Sequence, residues 1–314
     1  MSLDLAPFNQ QTSDLAQAGI DPPGCPPLPE IRTATDLLAD NEVKIPEVVV
    51  EGLIHKETKT LVGGSSKIGK TWVLLQLGVS VQAGKPFIGF NTRAFPVLYV
   101  NMELPEPFLR ERLRTIADRA FIKDLSNLHV WSLRGHTVSL EELVAVARER
   151  FEDKGYGLVL LDPMYKLLGH RDENSARDIA ELCNAIEGIC AISGAAIVTA
   201  THFSKGAQWA KAAMDRISGS GVFSRDADTL ITLTEHEETD AYTVDFTLRN
   251  FPRHDSVVVR WEYPLIRRDE NLDPAQLKVA KKPSGSSAAA ASRLEEKIIE
   301  CVPVVNGILK ERLV

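Results

Sequence analysis

No apolar run in this chain approaches the ~20 residues needed to cross a bilayer, so a membrane-spanning helix is excluded. Cysteine is scarce. The four, Cys25, Cys183, Cys190 and Cys301, form no close pair with metal-ligand spacing. Cys183 and Cys190 lie seven apart on an expected helix and read as core or interface residues rather than a redox pair. An excess of basic charge is also missing: 36 Lys and Arg stand against 43 Asp and Glu, a net charge of −7. That balance excludes indiscriminate coating of nucleic acid but leaves room for a local basic groove. The first ten residues hold Asp4 and no basic residue, so they do not read as a secretory leader, and the expected setting is a reducing cytoplasm. There are no internal repeats.

What the chain does contain is Gly64-Ser65-Ser66-Lys67-Ile68-Gly69-Lys70-Thr71, which fits G-x-x-x-x-G-K-[ST] at every fixed position. The glycines let the backbone curl until consecutive N–H groups point inward at phosphate oxygens. Lys70 brings a positive charge to the β- and γ-phosphates, and the Thr71 hydroxyl is placed to ligate Mg²⁺. Context supports the motif. Thr58 to Val62 favours a strand, and Trp72 to Val81 is apolar on nearly every face, as a helix buried under a sheet should be. The expected ligands are ATP and Mg²⁺.

Prolines crowd the start, with seven of the 17 before residue 50, so residues 1–30 read as a flexible arm. Strands and helices then alternate. Strands are expected over Pro96–Met102, Leu128–Trp131, Leu158–Asp162 and Ala195–Ala200, and helices over Pro105–Ala120, from Ser139, and over Ser175–Ile192. Phe108, Leu109, Leu113 and Ile116 share one face of the first of these helices. Ser139 with Glu142 forms a capping-box pattern. The order implies an α/β fold: a mostly parallel sheet with helices on both faces. Thr229–Leu233, Tyr242–Leu248 and Ser256–Trp261 follow without intervening helices, which suggests antiparallel strands added at the C-terminal edge. The main domain is expected over 31–280, a linker over 281–292, and a helical tail over 293–314, too short for a domain or the start of a truncated one.

Companion carboxylates narrow the chemistry. Asp162, at the tip of an apolar strand, suits the acid that holds Mg²⁺. Pro163 follows it, so a water-activating glutamate cannot stand there. Glu103, after the strand ending at Met102, is the candidate base, because parallel strands place their C-terminal ends on one edge. No N-K-x-D guanine reader and no L-S-G-G-Q segment are present.

The phosphate loop, Asn101-Met102-Glu103-Leu104, Leu160-Leu161-Asp162 and Thr201-His202-Phe203-Ser204-Lys205, in that order, resemble the RecA-like P-loop ATPases. The likeness is nearest to the plasmid RepA replicative helicases, relatives of DnaB and KaiC, and covers roughly residues 31–265. It implies a RecA-like core that assembles as a homo-oligomeric ring, commonly a hexamer, with ATP between neighbours. By that resemblance His202 senses the γ-phosphate. The DNA-facing loops would carry Lys166, His170 and Arg171, then Lys205, Lys211 and Arg216 with Trp209 between. Cations interleaved with an aromatic suit a single-stranded nucleic-acid track. Arg249 matches the place of a basic finger reaching a neighbour's site. The usual second basic residue, two positions on, is Phe251 here, so Arg253 would have to substitute. The leading expectation is an ATP-hydrolysing motor on single-stranded DNA; the alternative is an ATP-dependent switch or assembly factor with a protein partner.

Overall fold

The computed structural model describes residues 31–278, apart from 137, 152–153, 170, 173–174 and 204–220. The arm over 1–30, the linker and tail beyond 280, and the expected contacts at His170, Lys205, Trp209, Lys211 and Arg216 lie outside the described residues. The chain divides into a unit ending at Ile45 and a unit beginning at Pro46. In the first, α1 (Ala34–Ala39) starts where the Thr33 hydroxyl accepts from the Asp36 amide, and none of its residues is buried.

The second unit begins with a small antiparallel pair, β1 (Val48–Val50) and β2 (Ile54–His55). The remaining elements are β3 (Lys59–Gly64), α2 (Lys70–Gln82), β4 (Val97–Asn101), α3 (Glu106–Arg119) and β5 (Leu128–Ser132), then α4 (Leu140–Arg150), β6 (Leu158–Asp162), α5 (Ala176–Ser193) and β7 (Ala196–His202). After α6 (Val222–Asp226) come β8 (Thr229–Glu235), β9 (Ala241–Leu248), β10 (Val257–Glu262) and β11 (Leu265–Arg268). Among the described residues, β3 to β11 form one nine-stranded sheet in the order β11-β10-β9-β8-β3-β7-β6-β4-β5. Strands β3 to β7 are parallel, as the alternating pattern predicts.

β8 refines that expectation. It runs parallel to β3, with Gly64 opposite Leu233, and only from β9 onward does each strand reverse. Nothing local to Thr229–Glu235 signals that direction, since an apolar strand reads alike in either sense.

Apolar side chains fill both faces. α2 and α3 cover one with Leu74, Leu77, Leu109 and Ile116, and α4 and α5 cover the other with Leu143, Leu182 and Ile186. α2 is buried from Val73 to Gln82. It lies so close to β6 that a Cβ on Gly78 would come within 2.9 Å of Leu160 Cδ1. The helix also fastens the far edge of the sheet. Gln76 Nε2 donates to the Ile266 carbonyl at 2.9 Å, and the Ile266 amide donates back to Oε1 at 2.8 Å, both buried. One side-chain amide thus satisfies backbone groups that an edge strand would otherwise leave unpaired.

Two local expectations meet different outcomes. The Ser139–Glu142 capping box forms at the start of α4. Phe108, expected on the packed face of α3, is 64% exposed. It sits on the helix's first turn, a hundred-degree step off the Leu109–Ile116 stripe. Cys183 and Cys190 are buried free thiols, and burial pushes both up to about 12, which keeps them unreactive.

Candidate functional site

Parallel pairing fixes where the chemistry collects. Asn101 stands opposite Asp162, and Gly64 opposite His202, so β3, β4, β6 and β7 end along one edge. The sequence-predicted Lys70, Thr71, Glu103, Asp162 and His202 all lie on it.

The loop leaves β3 at Gly64, where a Cβ would stand 2.8 Å from Ile68 Cγ2. The backbone is left-handed at Lys67 (φ 66°) and Gly69 (φ 90°), which curls the loop tightly before α2 begins. Lys70, 9% exposed, folds back so that Nζ donates to the carbonyls of Gly64 at 2.8 Å and Ser65 at 2.9 Å. Its third contact is His202 Nδ1 at 3.2 Å, which also approaches Ser66 Oγ at 3.4 Å. Among the described residues no carboxylate lies within ion-pair distance of Lys70. Burial lowers it from the ordinary lysine value of 10.5 to about 8, against the opposing pull of Asp162 and Glu103. A buried cation held only by neutral partners, within a tightly curled glycine loop, suits a polyanion.

Asp162 is 4% exposed and accepts from the Tyr99 hydroxyl at 2.6 Å. The Thr71 side chain lies close enough to favour its charged form. Burial pushes its carboxyl up, while the Tyr99 bond and then nearby Thr71 pull the other way. Burial, and then Asp162 itself, raise the Tyr99 phenol well above its ordinary value, so it stays a donor. A hard oxygen pair, hydroxyl plus carboxylate, beside the phosphate receptor fits Mg²⁺ shared with phosphate oxygens.

Glu103 is exposed on the turn after β4. Buried Asn101 builds that turn: its Oδ1 accepts from the Leu104 amide at 2.9 Å and its Nδ2 donates to the Leu104 carbonyl at 2.8 Å. The Met102 amide donates to the Asp162 carbonyl at 3.0 Å, which ties the two acid-bearing strand ends together. Glu103 is near enough for its charge to bear on Lys70, Asp162 and Tyr99. Sequence alone gives Tyr99, and Asn101 within its motif, no role of their own. Their signal was polar atoms inside an apolar strand, which need partners when buried.

The other predicted residues scatter. Lys166 lies in a short 3₁₀ segment after β6, its ammonium 5.3 Å from the Tyr165 ring, and Tyr165 leans 6.1 Å from His202. Arg171 bonds Glu181 of α5 at 3.3 Å. Arg249 is not brought to the phosphate loop of its own chain. Leu248 pairs with Thr229, at the opposite end of the sheet, so a strand's length of roughly 16 Å intervenes. Its guanidinium pairs with Asp228 at 3.3 Å and donates to the Arg225 carbonyl. Arg253 is exposed in the loop that follows. Phe251, which stands where a second basic residue is usual, stacks on His55 with centroids 4.4 Å apart. Its role is packing.

The low value of Lys70 has a measurable consequence. Its charge is lost as pH rises through about 8. A bound triphosphate favours the charged form, so ATP binding above that pH draws a proton from solvent. Titration calorimetry at pH 9, in buffers of different ionisation enthalpy, should read uptake on the order of one proton, falling toward zero at pH 7. No uptake at pH 9 would contradict the assignment.

Three comparisons bear on the site. A family model described as AAA domain matches residues 25–208, which include the phosphate loop, Glu103, Asp162 and His202 but neither Arg249 nor Arg253. No curated protein matches the chain. Among solved structures, the KaiC-like protein of the hyperthermophilic archaeon Pyrococcus horikoshii OT3 superposes with a TM-score of 0.52 at 15% identity, over 70% of this chain and 93% of that one. That likeness establishes the fold, a RecA-like sheet with strands reversed at one edge. Among the described residues no helix is long and apolar enough to cross a membrane.

Proposed function

The chain belongs to this AAA-domain family of P-loop ATPases, and on that premise we propose that it hydrolyses Mg·ATP to drive movement on single-stranded DNA, as a ring of identical subunits. The observation that carries the ATPase reading is buried Lys70 within the loop, with no carboxylate partner among the described residues, beside buried Asp162. Lys70 and the loop amides bind the triphosphate. Thr71 and Asp162 would hold Mg²⁺, which neutralises charge on the β- and γ-phosphates when bound. Tyr99 orients the Asp162 carboxylate from behind. Glu103 accepts a proton from the attacking water. His202, touching both Lys70 and Ser66, couples phosphate occupancy to the segment after β7. Arg249 would serve a neighbouring subunit, and must exchange Asp228 for phosphate to do so.

The single-strand reading rests on the exposed Lys166–Tyr165 pair, a cation and an aromatic beside the sensor histidine. The test is fluorescence anisotropy with labelled oligo(dT) in the presence of a non-hydrolysable ATP analogue. Binding should weaken steeply with salt, and Lys166→Ala should lower both affinity and salt slope. No binding at low salt would overturn it. A second reading, a switch acting on a protein partner, is favoured by the net charge of −7 and by the engagement of Arg171 with Glu181.

A further inference from the structure

Helices α2 and α3 end in the same backbone motif with different residues at its key position. After α2 the Gly84 amide donates to the Val81 carbonyl at 3.1 Å, and the Lys85 amide to the Ser80 carbonyl at 2.9 Å. After α3 the Phe121 amide donates to the Asp118 carbonyl at 3.2 Å, and the Ile122 amide to the Ala117 carbonyl at 2.9 Å. Both closures use left-handed backbone, φ 61° at Gly84 and φ 56° at Phe121. Glycine is the usual occupant, because a side chain is strained there. Phe121 carries that strain and packs on little: 86% of its surface is exposed, while Ile122 beside it lies against the core. A strained residue that gives the fold so little packing points to a task outside it.

Phe121 lines two clefts, of about 630 and 520 Å³, and is their shared rim. Leu113 and Leu125 give the first an aliphatic wall, and Ile116 and Leu265 do so for the second. Charge of one sign surrounds these walls. Arg110, Arg114 and Lys123 line the first cleft against a single acid, Asp118; Lys85, Arg119, Arg267 and Arg268 line the second with none. Arg114, Arg267 and Arg268 pair with Glu111, Glu262 and Glu270. Lys85, Arg110, Arg119 and Lys123 have no ion pair among the described residues. The dipole of α3 accounts for Arg119 in its last turn but not for Arg110 in its middle. On a chain of net charge −7 the patch is a local reversal, which favours an acidic ligand.

We infer that the Phe121 surface docks an acidic segment of a partner protein, with the ring as apolar anchor and the unpaired cations around it. Nucleic acid fits less well, since the aliphatic walls offer a sugar–phosphate backbone no hydrogen bond. The surface stands apart from the phosphate loop, so docking and ATP binding can fail independently.

The test is fluorescence anisotropy of the full chain with a labelled peptide of Glu, Leu and Phe, a counterpart with Lys in place of every Glu, and labelled oligo(dT). The acidic peptide should bind, and more weakly as salt rises. Phe121→Gly should weaken it about tenfold or more, as should Arg110→Glu combined with Lys123→Glu. Any binding of the Lys peptide or of oligo(dT) should be indifferent to Phe121→Gly. Thermal melting separates docking from folding: glycine relieves the left-handed strain, so Phe121→Gly should melt no lower than wild type. No binding of the acidic peptide at low salt, or equal binding by wild type and Phe121→Gly, would overturn the docking surface. A lowered melting temperature would make the ring a structural residue instead. Oligo(dT) binding that falls with Phe121→Gly would assign the surface to nucleic acid and overturn the protein partner.

Discussion

Glu103→Gln should leave ATP binding intact and cut hydrolysis by roughly 10²–10⁴-fold, the usual contribution of a positioned general base. Glutamine keeps the size of the side chain and its hydrogen bonding but cannot accept the proton of the attacking water. The backbone of the turn should survive, because Asn101 builds it through the amide and carbonyl of Leu104. Binding is spared because the phosphate receptor is made of the loop and Lys70, on a different strand end. Filter binding of labelled ATP, set beside phosphate release, separates the two effects. A variant that hydrolyses at the wild-type rate would move the base elsewhere. One that loses ATP as well would make Glu103 a structural residue of the site.

Lys70→Ala should do the opposite and abolish binding before any chemistry. Removing one partner from a desolvated charge pair costs roughly 3–5 kcal/mol, so ATP affinity should fall by roughly 10²–10³-fold or more. Without nucleotide the same change should cost the fold little. Among the described residues the ammonium has no carboxylate partner, so losing it also removes a desolvation penalty, which offsets the two carbonyl bonds and the His202 contact given up. Thermal melting with and without Mg·ATP reads both sides. Wild type should be stabilised by the ligand and the variant should not. Equal ligand-induced shifts in the two proteins would place the nucleotide away from this loop.

Much of the site was legible because its chemistry is local in sequence. Eight consecutive residues make the phosphate loop, and an acid at a strand tip is visible as the end of an apolar run. Parallel pairing then does the assembly, bringing Gly64, Asn101, Asp162 and His202 to one edge without further sequence signal.

The remainder depends on distant partners. Nothing near Tyr99 announces that its hydroxyl meets Asp162, 63 positions away, nor does Gln76 advertise Ile266 at a separation of 190. The direction of β8 was hidden for a similar reason, since an apolar strand reads alike in either sense. Phe251 shows the reverse case. Sequence marks it as a departure at a finger position, and only the stack on His55 explains why an aromatic belongs there. Phe108 shows the limit of periodicity, since a helix's first turn can carry an apolar residue beyond the packed face.

The proposed coupling is tested most directly by steady-state ATP hydrolysis of the full chain with Mg²⁺, titrated with single-stranded DNA, with Lys70→Ala as the blank. The account predicts turnover above the blank that rises with added strand and loses that rise as salt increases. Turnover indifferent to DNA at every salt concentration would contradict the motor and leave a protein-directed ATPase switch on the same fold.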